Sequence, residues 1–137
     1  MDLMLIKMLN TAVERQLNKE LAPLGITYTQ AAVVGFIAKN PRDDLFQKDL
    51  EEGLGLTHPT MSSIVSRLEA KGLVDVSPLK QDRRYKRIAL TPQSRALNGE
   101  IAKKIENIAT LALDGIDPAA QEEFSRTLGA MTRNLNG

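Results

Sequence analysis

Residues 57–72 read THPTMSSIVSRLEAKG, and this stretch decides the fold. Its apolar side chains recur three and four positions apart, as on one buried face of a helix: Met61, Ile64, Val65 and Leu68. Thr57 is placed to cap the helix, and Pro59 is tolerated in a first turn because the N–H groups there lack partners within the helix. Gly72 is expected to end it. The stretch therefore predicts a helix with one face packed against a core.

The opposite face of this helix carries small polar side chains. Glutamate, lysine and glutamine would be typical of a face that only meets water, because they combine solubility with high helix propensity. Serine and threonine cost helix stability, yet they let the backbone come close to base edges and phosphates. Capping explains Thr57 but not Ser62, Ser63 and Ser66. The predicted DNA-binding residues of this helix are Thr57, His58, Thr60, Ser62, Ser63, Ser66 and Arg67.

The segments on either side place this helix in a known motif. Upstream, residues 47–54 predict a short helix with Leu50 and Leu54 on one face and Gly55 in the C-terminal capping position, so the turn between the two helices is very short. Downstream, the β-prone runs 73–77 and 85–90 predict a hairpin. Two helices joined by a tight turn and followed by a basic hairpin indicate a helix-turn-helix with a wing.

The tip of the predicted wing is strongly basic. Its cations lie within eight residues: Lys80, Arg83, Arg84, Lys86 and Arg87. A wing beside a DNA-facing helix can follow the phosphate backbone and insert an arginine into the minor groove. Asp82 is open to two interpretations, since it either pairs with Arg84 or loop amides, or only forms the turn. The predicted DNA-binding residues of the wing are Lys80, Asp82, Arg83, Arg84 and Lys86.

The remaining sequence completes a mainly α fold with a small β-hairpin wing. We expect an amphipathic helix over residues 2–21 and a second helix that begins at a capping box formed by Thr27 and Gln30. After the hairpin, Thr91 and Asp117, each followed by proline, are expected to cap two further helices. The predicted order is four helices, one hairpin and two helices.

The terminal helices carry apolar stripes with no evident partner in a domain of this size. We expect one domain over residues 1–137, with a winged-helix DNA-binding region at 28–91 and dimerisation helices at 1–22 and 92–137. The predicted dimerisation residues are Ile6, Leu9, Val13, Ile105, Ile108, Phe124, Leu128 and Met131. The alternative is that these helices pack only on their own domain.

Positive charge is confined to the middle of the sequence. The net charge is +1 overall, but it is −2 over residues 1–56, +5 over 57–95 and −2 over 96–137. An electropositive centre between acidic flanks is typical of a nucleic-acid contact surface. The lack of cysteine excludes disulfides, thiolate zinc sites and cysteine-based redox sensing. Neither a signal peptide nor a membrane-spanning run is evident, so we expect a cytoplasmic protein without a cofactor or metal.

The sequence resembles the MarR family of bacterial regulators over nearly its whole length. The resemblance is strongest at residues 47–56, at residues 60–74 (TMSSIVSRLEAKGLV), and at the Asp-Arg-Arg of 82–84 that leads to Leu-Thr at 90–91. The sequence departs from the family pattern at Glu51, where a small alanine is common, and at Ser94, where glycine is frequent. Glu51 is expected either to loosen the helix-turn-helix packing or to point to water.

The resemblance implies specific roles. Thr60, Ser62 and Ser63 would contact bases or phosphates in the major groove, Arg84 would enter the minor groove and Asp82 would brace it. The family also implies an obligate dimer built by the first and the last two helices, often released from DNA by a small anionic or aromatic effector. His58 is the only histidine, and we interpret it as a phosphate contact or a solvated cap residue rather than a metal ligand.

These observations favour a sequence-specific, double-stranded DNA-binding transcriptional regulator, a ligand-responsive repressor that acts as a homodimer on a palindromic operator. The alternative is a winged-helix protein-interaction module that does not bind DNA. An enzyme is the third hypothesis. It finds little support, because the sequence shows neither a nucleophile paired with a base nor a phosphate-cradling loop.

Overall fold

The computed structural model describes residues 1–42 and 44–137. The chain divides into two compact units, which are Met1–Ile105 and Glu106–Gly137. The elements in chain order are α1 (Met4–Leu21), a 3-10 turn (Ala22–Leu24), α2 (Tyr28–Lys39), α3 (Gln47–Leu54), α4 (His58–Ala70), β1 (Val74–Pro78), β2 (Lys86–Leu90), α5 (Pro92–Ala112) and α6 (Pro118–Asn136). The predicted mainly α fold with one antiparallel hairpin is confirmed.

The apolar stripe of α4 lies at the centre of the core of the first unit. Its four predicted side chains are all buried, and α2, α3 and β1 contact this helix. The neighbouring elements contribute further buried apolar side chains: Leu17, Leu21, Val33, Val34, Ile37, Leu50, Val74, Ile88 and Leu90. Because the stripe is buried, the opposite side of α4 must face outward.

Two glycines allow α3 to approach its neighbours closely. Gly55 ends α3 in the left-handed conformation, with φ of 65°, which a residue with a side chain adopts only at a cost. Gly53 faces the ring of Phe36 on α2, and a Cβ at this position would overlap that ring. The short turn holds α3 near the start of α4, and the close packing at Gly53 holds α3 against α2.

Side-chain hydrogen bonds join the end of α4 to the start of α2. The predicted capping box is confirmed, since Thr27 Oγ1 accepts from the Gln30 amide and Gln30 Oε1 accepts from the Thr27 amide. Lys71, directly after α4, donates from Nζ to Gln30 Oε1 and to the Gly25 carbonyl oxygen, both at 2.7 Å. The side-chain oxygen of the buried Gln30 thus takes part in the cap of α2 and also accepts from the lysine that follows α4.

The hairpin is attached to the segment before α3. Its strands pair from Val74 opposite Leu90 to Pro78 opposite Lys86, so each begins one residue later than the sequence predicts. The Ile88 amide also donates to the Leu45 carbonyl oxygen at 2.8 Å, and Phe46 forms a bridge with Arg87. These contacts fix the base of the wing beside the first residue of α3.

Thr91 and Ser94 form the start of α5. The Thr91 hydroxyl accepts from the Ser94 amide, which confirms the predicted cap, and donates to the Gly72 carbonyl oxygen at 2.7 Å. Ser94 is fully buried, and its hydroxyl donates to the Thr91 carbonyl oxygen at 3.0 Å. The serine that departs from the family pattern is therefore accommodated, because its polar atom is hydrogen-bonded.

The second unit contains the last turns of α5 and all of α6. Gly115 adopts φ of 75° between the helices. Asp117 occupies the N-cap position of α6, as predicted, and its side chain makes no cap hydrogen bond. Gln121 instead donates from Nε2 to the Ile116 carbonyl oxygen at 2.9 Å.

No single helix of the described residues is long and apolar enough to cross a membrane. The pair Met4–Leu24 and Tyr28–Lys39 passes that test jointly by length and composition, with a bend of 75° at the break.

We expect Met61→Ala to lower the free energy of unfolding by about 2–5 kcal/mol, because it removes a fully buried side chain and leaves a cavity. Glu69→Ala, at an exposed position of the same helix, should change it by no more than about 0.5 kcal/mol. Urea denaturation followed by circular dichroism measures both. Similar losses in the two variants would contradict the assigned core.

Candidate nucleic-acid interface

The predicted DNA-binding residues of α4 lie on its outward side and at its beginning. Six of them are exposed and Ser62 is half-buried: the exposed ones are Thr57, His58, Thr60, Ser63, Ser66 and Arg67. Thr57 is the N-cap, since its hydroxyl oxygen accepts from the Thr60 amide at 3.4 Å. The same hydroxyl donates to Thr60 Oγ1 at 3.0 Å. The side of α4 beyond the first turn therefore presents three short hydroxyl side chains and one guanidinium.

A polar network joins α3 to the start of α4. Gln47 donates from Nε2 to Ser62 Oγ at 2.8 Å and to Glu51 Oε2 at 3.1 Å. Glu51 Oε2 also lies 2.9 Å from His58 Nδ1. Two side chains of α3 thus hold two predicted DNA-binding residues of α4. We call Gln47, Glu51, His58 and Ser62 the junction network.

The expectation for Glu51 is corrected by this network. Its side chain is only 20% exposed and makes two side-chain hydrogen bonds, so it neither loosens the packing nor simply points to water. The hydrogen bond from His58 is the largest influence on its acidity and holds the pKa of Glu51 below the ordinary value. Loss of water around the carboxylate opposes this effect, and the hydrogen bond from Gln47 adds to it.

The wing tip is held by Asp82 and Arg84. The Arg84 side chain donates from Nε to Asp82 Oδ1 at 3.0 Å and from Nη2 to Oδ2 at 2.7 Å. The Arg84 amide also donates to Oδ1, at 3.1 Å. Asp82 therefore both pairs with the arginine and closes the turn, so the two interpretations left open by the sequence hold together. Arg84 remains 86% exposed despite this pairing.

Asp82 and Arg84 each stabilise the charged form of the other. Hydrogen bonds from the Arg84 side chain and then from its backbone amide lower the pKa of Asp82, against a smaller opposing effect of desolvation. The same carboxylate raises the pKa of Arg84. Both groups are therefore charged at neutral pH, and the guanidinium is held at one place in the tip.

A cleft of about 680 Å³ lies between α3, the start of α4 and the wing. It is lined by Phe46, Gln47, Lys48, Glu51, His58, Ser62, Arg84, Tyr85 and Lys86. The rings of Phe46 and Tyr85 meet at its base with centroids 6.0 Å apart. The structure thus brings four predicted DNA-binding residues to one cleft: His58, Ser62, Arg84 and Lys86.

The other predicted DNA-binding residues lie outside this cleft. Lys80 and Arg83 are exposed on the wing tip, and Asp82 is half-buried beside them. The sequence reasoning missed Gln47, Glu51 and Lys48 as members of the site. The only sequence signal is that Gln47 and Glu51 lie four positions apart on one helix, and this spacing is common. Their partners Ser62 and His58 lie on α4, so the contacts depend on how α3 packs against α4.

The predicted dimerisation residues differ in exposure. Leu9 and Phe124 are exposed, Ile108 is buried, and the others are half-buried: Ile6, Val13, Ile105, Leu128 and Met131. The most exposed apolar side chains of α1 are Met4, Leu5 and Met8, which the sequence reasoning did not select. In the second unit, Leu111, Ile116 and Leu135 are also exposed.

Within residues 1–42 and 44–137, no group of three or more histidine, aspartate or glutamate side chains is arranged to hold a metal ion.

We expect Asp82→Ala to speed hydrogen exchange at the Arg84 amide, because the carboxylate that accepts from this amide is lost. Gln81→Ala, at an adjacent exposed position, is the matched control and should leave the exchange unchanged. A lowered pKa means that Asp82 stabilises the tip above its ordinary pKa, and that this effect is lost as the pH falls through the lowered value. Backbone NMR at neutral and acidic pH measures both effects. Equal protection of the Arg84 amide in Asp82→Ala and in the unmodified protein at neutral pH would contradict the proposed brace.

Comparisons with known proteins agree with this geometry. Residues 24–84 match the family model described as the MarR family. The fold is similar to that of MepR from S. aureus in a DNA complex, with 24% identity, a TM-score of 0.87 and 95% of each chain covered. It is also similar to the transcriptional regulator PA3341, with 28% identity, a TM-score of 0.81, and 97% of this chain and 96% of that chain covered.

A third solved structure is a point variant of MarR from E. coli in complex with operator DNA. It has 23% identity and a TM-score of 0.82, with 93% of this chain and 90% of that chain covered. The family match spans the second helix, the helix-turn-helix and the wing tip, and the likeness of fold extends over nearly the whole chain. The chain is therefore similar to the MarR family over residues 24–84, and its fold is similar to those of MarR-family regulators over nearly its whole length.

Proposed function

We propose that this protein is a transcriptional regulator that binds double-stranded DNA sequence-specifically through α4 and the wing. The observation that carries the proposal is the cleft at which the junction network and the cations Arg84 and Lys86 meet. The structures of MepR, of the E. coli MarR variant and of a MarR-family regulator from Listeria monocytogenes each contain DNA. A polyanion is the partner that a cationic surface with short hydroxyl side chains fits best.

In this proposal, α4 lies in the major groove and recognises base edges. Short side chains let the helix approach the bases, and their hydroxyl groups can donate or accept there. Ser62 Oγ accepts from Gln47, so its hydroxyl hydrogen is available to an acceptor on a base. Ser63 and Ser66 lie on the exposed side of α4, where they would contribute further contacts.

The wing supplies the cationic part of the interface. Asp82 holds the Arg84 guanidinium by two side-chain hydrogen bonds, so little conformational entropy is lost when the arginine enters the minor groove. Lys80, Arg83 and Lys86 are exposed and would contact phosphates. These contacts would position the protein, and the α4 hydroxyl groups would select the sequence.

We further propose that the regulator is a homodimer on a palindromic operator. Met4, Leu5 and Met8 are more than half exposed on α1, which is unfavourable for apolar side chains unless a partner covers them. Exposed apolar side chains of the second unit, including Phe124, support the same inference. A twofold dimer would place the two α4 helices about 34–36 Å apart, one turn of DNA.

We also propose that the protein is a cytoplasmic repressor and that a small anionic or aromatic effector releases it from DNA. The described cleft fits such a compound, because Lys48, Arg84 and Lys86 would attract its charge and the rings of Phe46 and Tyr85 would contact its apolar part. An effector in this position would cover Arg84. It would then compete directly with the operator.

The proposed DNA contacts are tested by two variants. We expect Arg84→Ala to lower the steepness of the salt dependence of DNA affinity by about 0.9, because one positive charge is lost from the interface. Ser63→Ala should instead reduce the preference for the operator over other duplexes. Fluorescence anisotropy with labelled duplexes at several salt concentrations measures both quantities.

Arg126→Ala is the matched control for Arg84→Ala. It removes the same charge from α6, where the arginine pairs with Glu122 and Glu123, and it should leave the salt dependence unchanged. Equal behaviour of Arg84→Ala, Ser63→Ala and the unmodified protein would reject the assigned interface. Salt-insensitive capture of a protein with no DNA binding at low salt would favour the interaction module instead.

The proposed dimer is tested on α1. We expect Met8→Glu to shift the protein from dimer to monomer, because a carboxylate would be buried in an apolar interface without a partner. Lys39→Gln makes the same change of net charge at an exposed polar position of α2 and should remain dimeric. Sedimentation equilibrium measures both masses. A Met8→Glu dimer as stable as the control would exclude this part of α1 from the interface.

A further inference from the structure

His58 is the only histidine of the chain and the first residue of α4. Its side chain is 74% exposed, while its partner Glu51 is 20% exposed. Histidine is the side chain whose charge ordinarily changes between about pH 5 and 8. The chain therefore has one imidazole, and it lies at the cleft where DNA is proposed to bind.

The partner of His58 fixes which ring nitrogen carries hydrogen. A carboxylate only accepts, so the 2.9 Å contact with Glu51 requires Nδ1 of His58 to donate. Gln47 Nε2 lies 3.1 Å from the same nitrogen, but its two hydrogens are used by Ser62 and Glu51 in this arrangement. In the neutral ring Nε2 is then an acceptor. In the imidazolium it is a donor.

The charged groups around the ring are of both signs. Lys48 and Glu51 face the cleft from α3, and Arg84 and Lys86 face it from the wing. Of these groups Glu51 is in direct contact with the ring, with Oε2 2.9 Å from Nδ1. The lowered pKa of Glu51 keeps that carboxylate charged over the whole range in which histidine titrates. A phosphate at the cleft would add a second negative neighbour on the Nε2 side.

We propose that His58 takes up a proton when the protein binds DNA and donates from Nε2 to a phosphate, with Glu51 as the positioning residue that holds Nδ1. This inference rests on the proposed function. It adds a dependence on pH, since the affinity for DNA then rises as the pH falls. The neutral ring presents a lone pair to the phosphate and binds it poorly. Only the charged ring makes the contact, so the proton and the DNA bind together.

The test is the dissociation constant for a random-sequence duplex pool of about 21 base pairs, two helical turns, measured at fixed salt between about pH 5 and 8. We expect the affinity of the unmodified protein to rise by about ten- to a hundredfold across this range as the pH falls, the size of one charge-assisted hydrogen bond. The salt dependence should also become steeper by about 0.9 at acidic pH. Random sequences suffice, because a phosphate contact does not depend on the bases.

Two variants separate this role from a structural one. His58→Gln should bind DNA with an affinity that no longer depends on pH. Glu51→Gln should raise the affinity at pH 8, because a negative charge near DNA is lost, and should make the pH profile shallower. Glu52→Gln is the matched control, since it removes the same charge from an exposed position of α3 and should raise affinity equally at every pH.

Proton NMR of the single imidazole gives a direct measurement. The midpoint of the imidazole titration should move to higher pH when DNA is added to the unmodified protein. In the Glu51→Gln variant, the shift caused by DNA should be smaller. Binding that is independent of pH, or equally pH-dependent in His58→Gln, would overturn the inference while leaving the proposed function intact. No binding at any pH and low salt would overturn the proposed function, and this inference with it.

Discussion

The burial of one side of α4 is the constraint on which the rest of the structure depends. Met61 and Leu68 are fully buried, and each methylene group moved from water into such a core contributes about 0.8 kcal/mol. A helix fixed by this stripe can present only its other side to a partner. Thr60, Ser63 and Ser66 of α4 are exposed on that other side, so the surface proposed to contact DNA follows from the packing of the core.

The second constraint is the close contact between α3 and α4. Gly55 makes the turn between them short, and across this turn Gln47 and Glu51 reach Ser62 and His58 to form the junction network. Glu51 would be an unfavourable neighbour of DNA if it were alone. Paired with His58, its charge orients a residue of the proposed interface, and we expect its cost to DNA binding to be partly offset.

Most of the fold could be predicted from the sequence, because its signals are local. The spacing of the α4 stripe, the capping box of Thr27 with Gln30, and Gly55 after α3 each depend on residues within one or two helical turns, and the structure agrees with all three. The junction network and the bond from Lys71 to Gln30 could not be predicted, because these residues meet only after the helices pack. Asp117 shows that a local signal can predict position without predicting contacts. Its place at the N-cap of α6 was predictable, but the absence of a side-chain cap hydrogen bond was not.

The exposed side of α4 and the wing are together proposed to recognise a DNA sequence. Selection of bound duplexes from a fully random pool by the unmodified protein tests it most directly, because it assumes neither an operator nor an effector. We expect the recovered sequences to converge on an inverted repeat whose half-sites are centred about one helical turn apart. A recovered pool with the same sequence composition as the starting pool would contradict it.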